Sequence, residues 1–212
     1  MRNTDFRLCL MKEFKFDRSS KSLLFSNIFT MVIAVVEGWS ISDVMWIYWG
    51  QSIVIGYFNW RRILALREFS TDGFTMNGKP IPVTKESQRQ TASFFAMHFG
   101  FFHAFYLLFL LLHNRDLDLT QVLFILLCVA IFGANHCFSY YSNLEDDLKG
   151  KPNLGTIMFF PYVRIVPMHI MIVIGSLLFK KSMLALLFFL SLKAAADLVS
   201  HFVEHKVYGE RT

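Results

Sequence analysis

Residues 121–141 read QVLFILLCVAIFGANHCFSYY, and this stretch decides the fold class. It contains no Asp, Glu, Lys or Arg. A helix rises about 1.5 Å per residue, so a run of this length crosses the hydrocarbon core of a bilayer, which is about 30 Å thick. The whole chain of 212 residues has the same character, because 54% of it is hydrophobic and only 17% is charged. Soluble domains carry about 25% charged residues, so this composition argues against a soluble enzyme, a disordered chain or a nucleic-acid-binding module.

Five further apolar runs flank this stretch and predict an all-α, polytopic integral membrane bundle of about six transmembrane helices. The six runs are Ser22–Val36, Val44–Trp60, Ala92–Leu112, Gln121–Tyr141, Met158–Phe179 and Met183–His205. We therefore divide the chain into a basic interfacial segment (1–21), a six-helix transmembrane domain (22–206) and a short tail (207–212). The domain includes a cytoplasmic loop at 61–90, in which we expect a short amphipathic helix at Arg61–Phe69 and a turn at Asn77-Gly78.

The basic residues set the predicted orientation. With six crossings, sixteen Lys and Arg residues fall on the side of the two termini, and three fall on the other side. Lys and Arg concentrate in cytoplasmic loops, so both termini are predicted to be cytoplasmic. The net charge of +5 sits at the ends of apolar runs rather than in a stripe. It therefore indicates contact with lipid headgroups and no nucleic-acid partner.

Costly polar residues interrupt the apolar runs. Arg, Lys or Asp at a helix centre costs roughly 2.5–3.5 kcal/mol on insertion scales, and such residues are functional hypotheses by default. With the predicted orientation, nearly all of them lie between the midplane and the inner leaflet. We therefore expect them to share one polar chamber. The predicted site residues are Arg164 and Lys193 as catalytic groups, and His98, His136, His169, Asp197 and His201 as metal ligands.

The last helix carries the sharpest motif, Lys193-x3-Asp197-x3-His201. A spacing of four residues advances only about 40° around a helix, so these side chains form one stripe. Asp-x3-His can present a carboxylate and an imidazole to one metal ion. The alternative is a buried Lys193–Asp197 ion pair, with His201 hydrogen-bonded to another helix. Whether Glu204 and His205 join the stripe stays open.

The fifth predicted helix carries Arg164, Pro167 and His169. Pro167 lacks an N–H and is expected to kink the helix, opening room for water or a ligand. Arg164 can anchor a carboxylate or phosphate through its planar fork. The alternatives for Arg164 are a snorkelling side chain or an ion pair with Asp197. On the third predicted helix, His103 is interpreted as a core histidine and His98 as the site residue.

These motifs resemble a family of small, functionally uncharacterised bacterial and archaeal multi-pass membrane proteins. The resemblance rests on His98-Phe-Gly100, Gly56-x2-Asn59, Arg164-x4-His169 and the Lys193–Asp197–His201 stripe, and it spans helices two to six. It implies six helices and a place in the prokaryotic inner (cytoplasmic) membrane, but no settled activity. The family has Glu where this chain has Gln51, which removes one acidic ligand or proton carrier.

Three functions compete on this evidence. The first is a metal-dependent membrane hydrolase, with zinc favoured over iron or copper, acting on a lipid-like or other anionic substrate reached from the bilayer. The second is a transporter of divalent metal or protons. The third is a bis-histidine haem protein, which ranks lower because it leaves Arg164, Lys193 and Asp197 unexplained. A purely structural or partner-binding membrane protein is the remaining alternative, and the oligomeric state stays open.

Overall fold

A computed structural model describes residues 24–25, 28, 31–32, 34–113, 117–170, 172 and 183–209, apart from the side chains of 113, 139, 142–143, 146 and 201–209. The elements in this part of the chain are five long helices and one small hairpin. They are α1 (Ile41–Ala65), β1 (Thr75–Met76), β2 (Lys79–Pro80), α2 (Lys85–His113), α3 (Leu119–Lys149), α4 (Leu154–Ile170) and α5 (Met183–Gly209). The all-helical class predicted from the sequence is confirmed.

Helix α1 is the centre of the bundle and packs against each of the other four long helices. It begins at a capping box, in which the Ser40 hydroxyl accepts from the Asp43 N–H and the Asp43 carboxylate accepts from the Ser40 N–H. Such a box satisfies two N–H groups that a helix start otherwise leaves free. Close packing on both sides requires small residues. A Cβ at Gly50 would collide with Val129 of α3, and one at Gly56 would collide with Phe99 of α2.

Within the described part of the chain, three helices are long and apolar enough to cross a membrane, namely Lys85–Leu112, Leu119–Phe138 and Met183–Ser200, and α4 is a shorter apolar helix. Their outer surfaces are rich in exposed large apolar side chains, such as Met97 at 70% and Leu123 at 57% exposure. A soluble protein rarely exposes so much contiguous apolar surface, and lipid is the environment that accepts it. The chain is therefore membrane-associated.

One end of the bundle, here called the loop end, holds residues 66–84 and 150–153. The two connections join there, because the Ser70 N–H donates to the Pro152 carbonyl and the Leu154 N–H donates to the Ser70 carbonyl. Arg62 of α1 donates through Nε and Nη2 to the two carboxylate oxygens of Asp147 of α3, at 2.5 and 2.7 Å. These contacts fix the ends of α1, α3 and α4 to one another.

The loop itself differs in part from the prediction. The Asn77-Gly78 turn is confirmed, since both residues have positive φ (51° and 74°), as a two-residue hairpin turn requires. The prediction of a separate amphipathic helix at Arg61–Phe69 is wrong, because α1 continues to Ala65 and ends there. The side chain of Gln88 donates to the carbonyls of Ile63 and Leu66 and so caps the last turn.

The predicted crossings after the first correspond to described helices, and these helices extend beyond the predicted runs at one end or both. Helix α3 runs eight residues past the predicted end at Tyr141, to Lys149. The segment 1–21, seven of the fifteen residues of the first crossing (Ser22–Val36), residues 171 and 173–179 of the run that starts at Met158, and residues 210–212 lie outside the described residues. The count of six crossings and the side of the termini therefore stay predictions.

Candidate functional site

Tyr48, Arg164, Lys193 and Asp197 form one polar group where α1, α4 and α5 meet, and we call it the charged cluster. Lys193 Nζ lies 2.7 Å from Asp197 Oδ2, and the two side chains are only 21% and 11% exposed. The ion pair that the sequence offered as an alternative to metal ligation is therefore present. Because each charge neutralises the other, this pair adds no net charge to the interior of the bundle.

Tyr48 connects the three helices of the charged cluster. Its hydroxyl donates to the backbone carbonyl of Arg164 on α4. Its ring lies 5.8 Å from Lys193 Nζ on α5 and packs edge-on against Phe189. Tyr48 is only 4% exposed, so it fixes the spacing of α1, α4 and α5 from inside the bundle. The hydroxyl meets α4 one turn before Pro167, a residue that removes one N–H from the helix.

Arg164 is the cation in the charged cluster that lacks an acidic partner. Among the residues the structure describes, no ion pair involves it, and its Nε is buried without a hydrogen-bond acceptor. The alternative of an Arg164–Asp197 pair is not what the structure has, since Asp197 accepts from Lys193. His136 of α3 lies close enough to Arg164 to feel its charge. Among the described residues, the guanidinium of Arg164 therefore adds a positive charge that no carboxylate balances.

Two serines extend the unsatisfied polar surface along the same helices. Ser52 follows Tyr48 by one turn of α1, and Ser200 follows Asp197 by three residues of α5. Both hydroxyl oxygens are buried and have no hydrogen-bond partner in the described part of the chain. Buried polar atoms are normally satisfied, so these two hydroxyls and Arg164 Nε can each take a further polar partner, whether water or ligand.

His98 and His169 lie elsewhere, where α2 and α4 contact each other. The hydroxyl of Tyr162 lies 2.9 Å from His98 Nδ1, and the hydroxyl of Tyr106 lies 3.0 Å from His169 Nδ1. The Phe102 ring lies between the two imidazoles. We call these five residues the histidine–tyrosine cluster. Both histidines are exposed on the outer surface of the bundle.

His98 and His169 therefore lie apart from the charged cluster. On α4, Arg164 lies about 200° around the helix from Tyr162, whereas His169 returns to within about 20° of it. Arg164 consequently belongs to the side of α4 that meets α1 and α5, and His169 to the side that meets α2. His136 packs against Phe58 and Phe132, between α1 and α3. Position in the sequence predicted the depth of these residues in the bundle, but not the face of the helix on which each one lies.

The described residues contain no group of three His, Cys, Asp or Glu side chains that could hold one metal ion. Of the predicted ligands, His98 and His169 lie apart from Asp197, His136 packs against Phe58 and Phe132, and the side chain of His201 lies outside the described residues. His103 is buried as predicted, with Nδ1 at 2.8 Å from the Phe99 carbonyl. Its Nε2, however, has no partner within that part of the structure, so the core histidine is only half satisfied.

Sequence reasoning missed the tyrosines. Tyr48, Tyr106 and Tyr162 each supply the hydroxyl that organises a polar group within the bundle. Tyrosine has an apolar ring, so these residues merged into the aromatic background of apolar runs. The available signal was spacing: Tyr106 follows His98 by two turns, and Tyr162 precedes His169 by two turns.

Comparison with known proteins places the chain in a family without assigning a role to it. No curated protein and no solved structure matches it. One family model matches residues 10–212, which is nearly the whole chain. The description of that family gives no activity, in agreement with the resemblance to uncharacterised membrane proteins inferred from the motifs. The chain belongs to the family of unknown function DUF6498.

Proposed function

We propose that the chain is a six-span membrane protein that binds an anionic, membrane-accessible ligand at the charged cluster, with Arg164 as the anchor. The observation that carries this proposal is the unbalanced charge on Arg164. Lys193 is neutralised by Asp197 at 2.7 Å, while no described carboxylate pairs with Arg164. An intramembrane cation that is left uncompensated is costly, so it is retained where a ligand supplies the missing negative charge.

The guanidinium suits a carboxylate or a phosphate in particular. Its planar fork donates two parallel hydrogen bonds to either group, and such charge-assisted bonds are stronger than neutral ones. The region has low polarity, because Tyr48, Phe189 and the buried part of α1 surround it. Low polarity strengthens each of these interactions compared with water. A lipid-like anion that enters from the bilayer is the ligand class that fits both properties.

A thermal-shift experiment on the purified protein in neutral detergent tests the proposal. The probes are oleate for the carboxylate, lysophosphatidic acid for the phosphate and monoolein as the uncharged control. We expect both anions to raise the melting temperature of the wild-type protein and monoolein to leave it unchanged. Arg164→Gln should lose the response to both anions.

Arg61→Gln is the matched control, because Arg61 is an exposed arginine near the end of α1. It should respond to the anions like the wild type. An equal response of Arg164→Gln and the wild type would contradict the proposal, and so would stabilisation of the wild type by monoolein to the same extent as by oleate.

Topology and location complete the proposal: six spans in a prokaryotic inner membrane, with both termini cytoplasmic. Two connections with basic residues, 66–84 and 150–153, meet at the loop end, which supports one cytoplasmic face for both. Reporter fusions at Thr212 and within residues 114–116 test this layout. Alkaline phosphatase should be active only at 114–116, and activity at Thr212 would overturn the orientation.

Hydrolysis with zinc, the activity predicted from the sequence, extends this proposal and depends on a resident metal. Elemental analysis of the purified protein decides it. The hydrolase predicts about one zinc, iron or copper per chain, lost in His201→Ala. A metal-free protein that still responds to oleate would end the hydrolase and the metal transporter, while anion binding at Arg164 would stand.

A further inference from the structure

A large apolar cavity lies between α1, α2 and α3, at the end of the bundle away from the loop end. Its volume is about 700 Å³, within the range of about 300–1,000 Å³ that is typical of ligand sites. Its lining includes Trp46 and Trp49 of α1, Leu111 of α2, and Ile125 and Val129 of α3. Within the described part of the chain, no charged side chain lines it. The chemistry of the cavity therefore suits a hydrocarbon ligand.

The cavity is accessible from the surface that faces lipid. Ile125 is only 8% exposed, whereas the lining residues Leu111 of α2 and Leu126 of α3 are 52% and 59% exposed. Hydrocarbon can thus enter from the bilayer without passing through water. Water itself is a poor occupant, because an apolar cavity gives it too few hydrogen-bond partners.

The dimensions of the cavity indicate more than one hydrocarbon chain. Along α3 the lining extends from Val122 to Val129, which is a rise of about 10 Å. The volume divided by this length gives a cross-section of about 70 Å². Hydrocarbon chains in contact lie about 4.5 Å apart, so each needs about 20 Å². Both chains of a two-chain lipid therefore fit side by side.

The rim of the cavity carries two acids. Asp43 lies at the start of α1, Asp118 and Gln121 lie at the start of α3, and Gln121 is next to the lining residue Val122. Gln121 contacts both acids, since its Nε2 donates to Asp43 Oδ1 at 3.4 Å and its backbone N–H donates to Asp118 Oδ1 at 2.8 Å. Among the described residues, no Lys or Arg pairs with either carboxylate. This rim attracts an ammonium group and disfavours a headgroup with a net negative charge.

One hydrogen-bond donor lies just below the rim. Trp46 lines the cavity one turn after Asp43, and its Nε1 is buried without an acceptor in the described part of the chain. The neighbouring Trp49 differs, because its Nε1 donates to the His103 carbonyl at 2.9 Å. A glycerolipid carries its ester carbonyls between the headgroup and the chains, which is the depth of Trp46 relative to the rim.

We propose that this cavity binds a phospholipid of the phosphatidylethanolamine type. Its two acyl chains fill the cavity, an ester carbonyl accepts from Trp46 Nε1, and the ammonium group donates to the rim carboxylates of Asp43 and Asp118. The site is independent of the charged cluster, which lies where α1, α4 and α5 meet. Oleate, lysophosphatidic acid and monoolein have one chain and no ammonium group, so they lack both features that this cavity selects.

Native mass spectrometry of the delipidated full chain in neutral detergent tests this assignment. Dioleoylphosphatidylethanolamine is the probe. Dioleoylphosphatidylglycerol has the same chains without an ammonium group, and monooleoylphosphatidylethanolamine has the same headgroup with one chain. We expect the probe to bind about tenfold more tightly than either of the other two lipids. Equal affinity for the probe and for either of these lipids would overturn the proposal.

Variants locate the bound lipid. Val122→Trp adds bulk to the lining and should weaken binding of the probe about tenfold. Leu123→Trp is the matched control, because Leu123 is 57% exposed and is not among the lining residues. It should bind like the wild type. Equal affinities of these two variants would overturn the proposal.

Two conservative variants test the polar contacts and do not depend on the folding of Val122→Trp. Trp46→Phe keeps an aromatic ring and removes the donor, so it should weaken binding of the probe about threefold to tenfold. Asp43→Asn should reduce the preference for the probe over dioleoylphosphatidylglycerol, while Glu86→Gln, at the start of α2 near the loop end, should keep it. Wild-type affinity and preference in both Trp46→Phe and Asp43→Asn would overturn the proposal. Arg164→Gln should bind the probe normally, and loss of binding there would assign this lipid to the charged cluster instead.

Discussion

Two partly buried arginines in the described part of the bundle have opposite electrostatic settings. Arg62, at the loop end, donates to both carboxylate oxygens of Asp147, and their side chains are 19% and 6% exposed. Arg164, between α1, α4 and α5, has no carboxylate partner among the described residues, and its Nε has no acceptor. The first arrangement is complete as it stands, and the second is not.

On the proposed function, this difference separates a structural cation from one that binds a ligand. A buried ion pair with two parallel hydrogen bonds satisfies its own charges and joins two helices. A buried cation without a partner contributes nothing to folding by itself, and its desolvation is unfavourable. We therefore expect that removing the carboxylate beside Arg62 lowers the free energy of unfolding, whereas removing the charge of Arg164 raises it. Stability measurements can check both changes.

The largest expected effect is at the loop end. Asp147→Ala leaves Arg62 without its carboxylate in a mostly buried position, so we expect the free energy of unfolding to fall by about 3–5 kcal/mol. Denaturation of the protein in mixed micelles measures this change. The double variant Arg62→Met/Asp147→Leu should recover most of the loss, because two apolar side chains leave no unpaired charge.

Glu68→Ala is the control for this variant. Glu68 also pairs with a basic residue at the loop end, Lys151 at 3.8 Å, but the two side chains are 72% and 68% exposed. Its loss should change the stability very little, since exposed pairs are screened by water. If Asp147→Ala and Glu68→Ala have equal effects, the buried pair is not the attachment between α1 and α3 described above.

The second effect has the opposite sign. Arg164→Gln removes an uncompensated charge, so the ligand-free protein should become more stable by about 1 kcal/mol, even though it loses the response to anions. The same denaturation experiment, without added lipid anion, measures the gain. A marked loss of stability would show that Arg164 already has a partner in the folded chain, and the anion site would then lose its physical basis.

The fold was predictable to the extent that it depends on length and polarity. The apolar run at Gln121–Tyr141 and the Asn77-Gly78 turn each report a local property, and α3 and the hairpin follow from them. Helix boundaries were less predictable. Helix α1 continues through Arg61 and Arg62 because residues of other helices satisfy the polar groups at its end. Asp147 of α3 accepts from Arg62, and Gln88 of α2 donates to the Ile63 carbonyl.

The candidate site was predictable in composition but not in arrangement. Arg164, Lys193 and Asp197 stood out because charges are rare in apolar runs, and the structure does bring them together around Tyr48. His98 and His169 stood out for the same reason, yet they lie in the histidine–tyrosine cluster on the other side of α4. Depth follows from position in the chain, whereas the face depends on how each helix is rotated against its neighbours.

The smallest expected effect comes from comparing the buried Asp147 with an exposed acid on the same helix. Glu145 lies two residues before Asp147 on α3, and Lys149 Nζ donates to it at 2.6 Å. This hydrogen bond lowers the pKa of the Glu145 carboxyl. An acid with a lowered pKa in the folded state adds stability at neutral pH, and that stability is lost as the pH falls through the folded pKa.

Water screens this pair almost completely, because the side chains of Lys149 and Glu145 are 71% and 73% exposed. Glu145→Gln should therefore leave the melting temperature unchanged at neutral pH, and the wild type and the variant should lose stability equally at mildly acidic pH. A lower melting temperature at neutral pH, with the difference disappearing in acid, would mean that pairing alone stabilises this end of α3. Burial would then not be what distinguishes Arg62 and Asp147 from the exposed pairs around them.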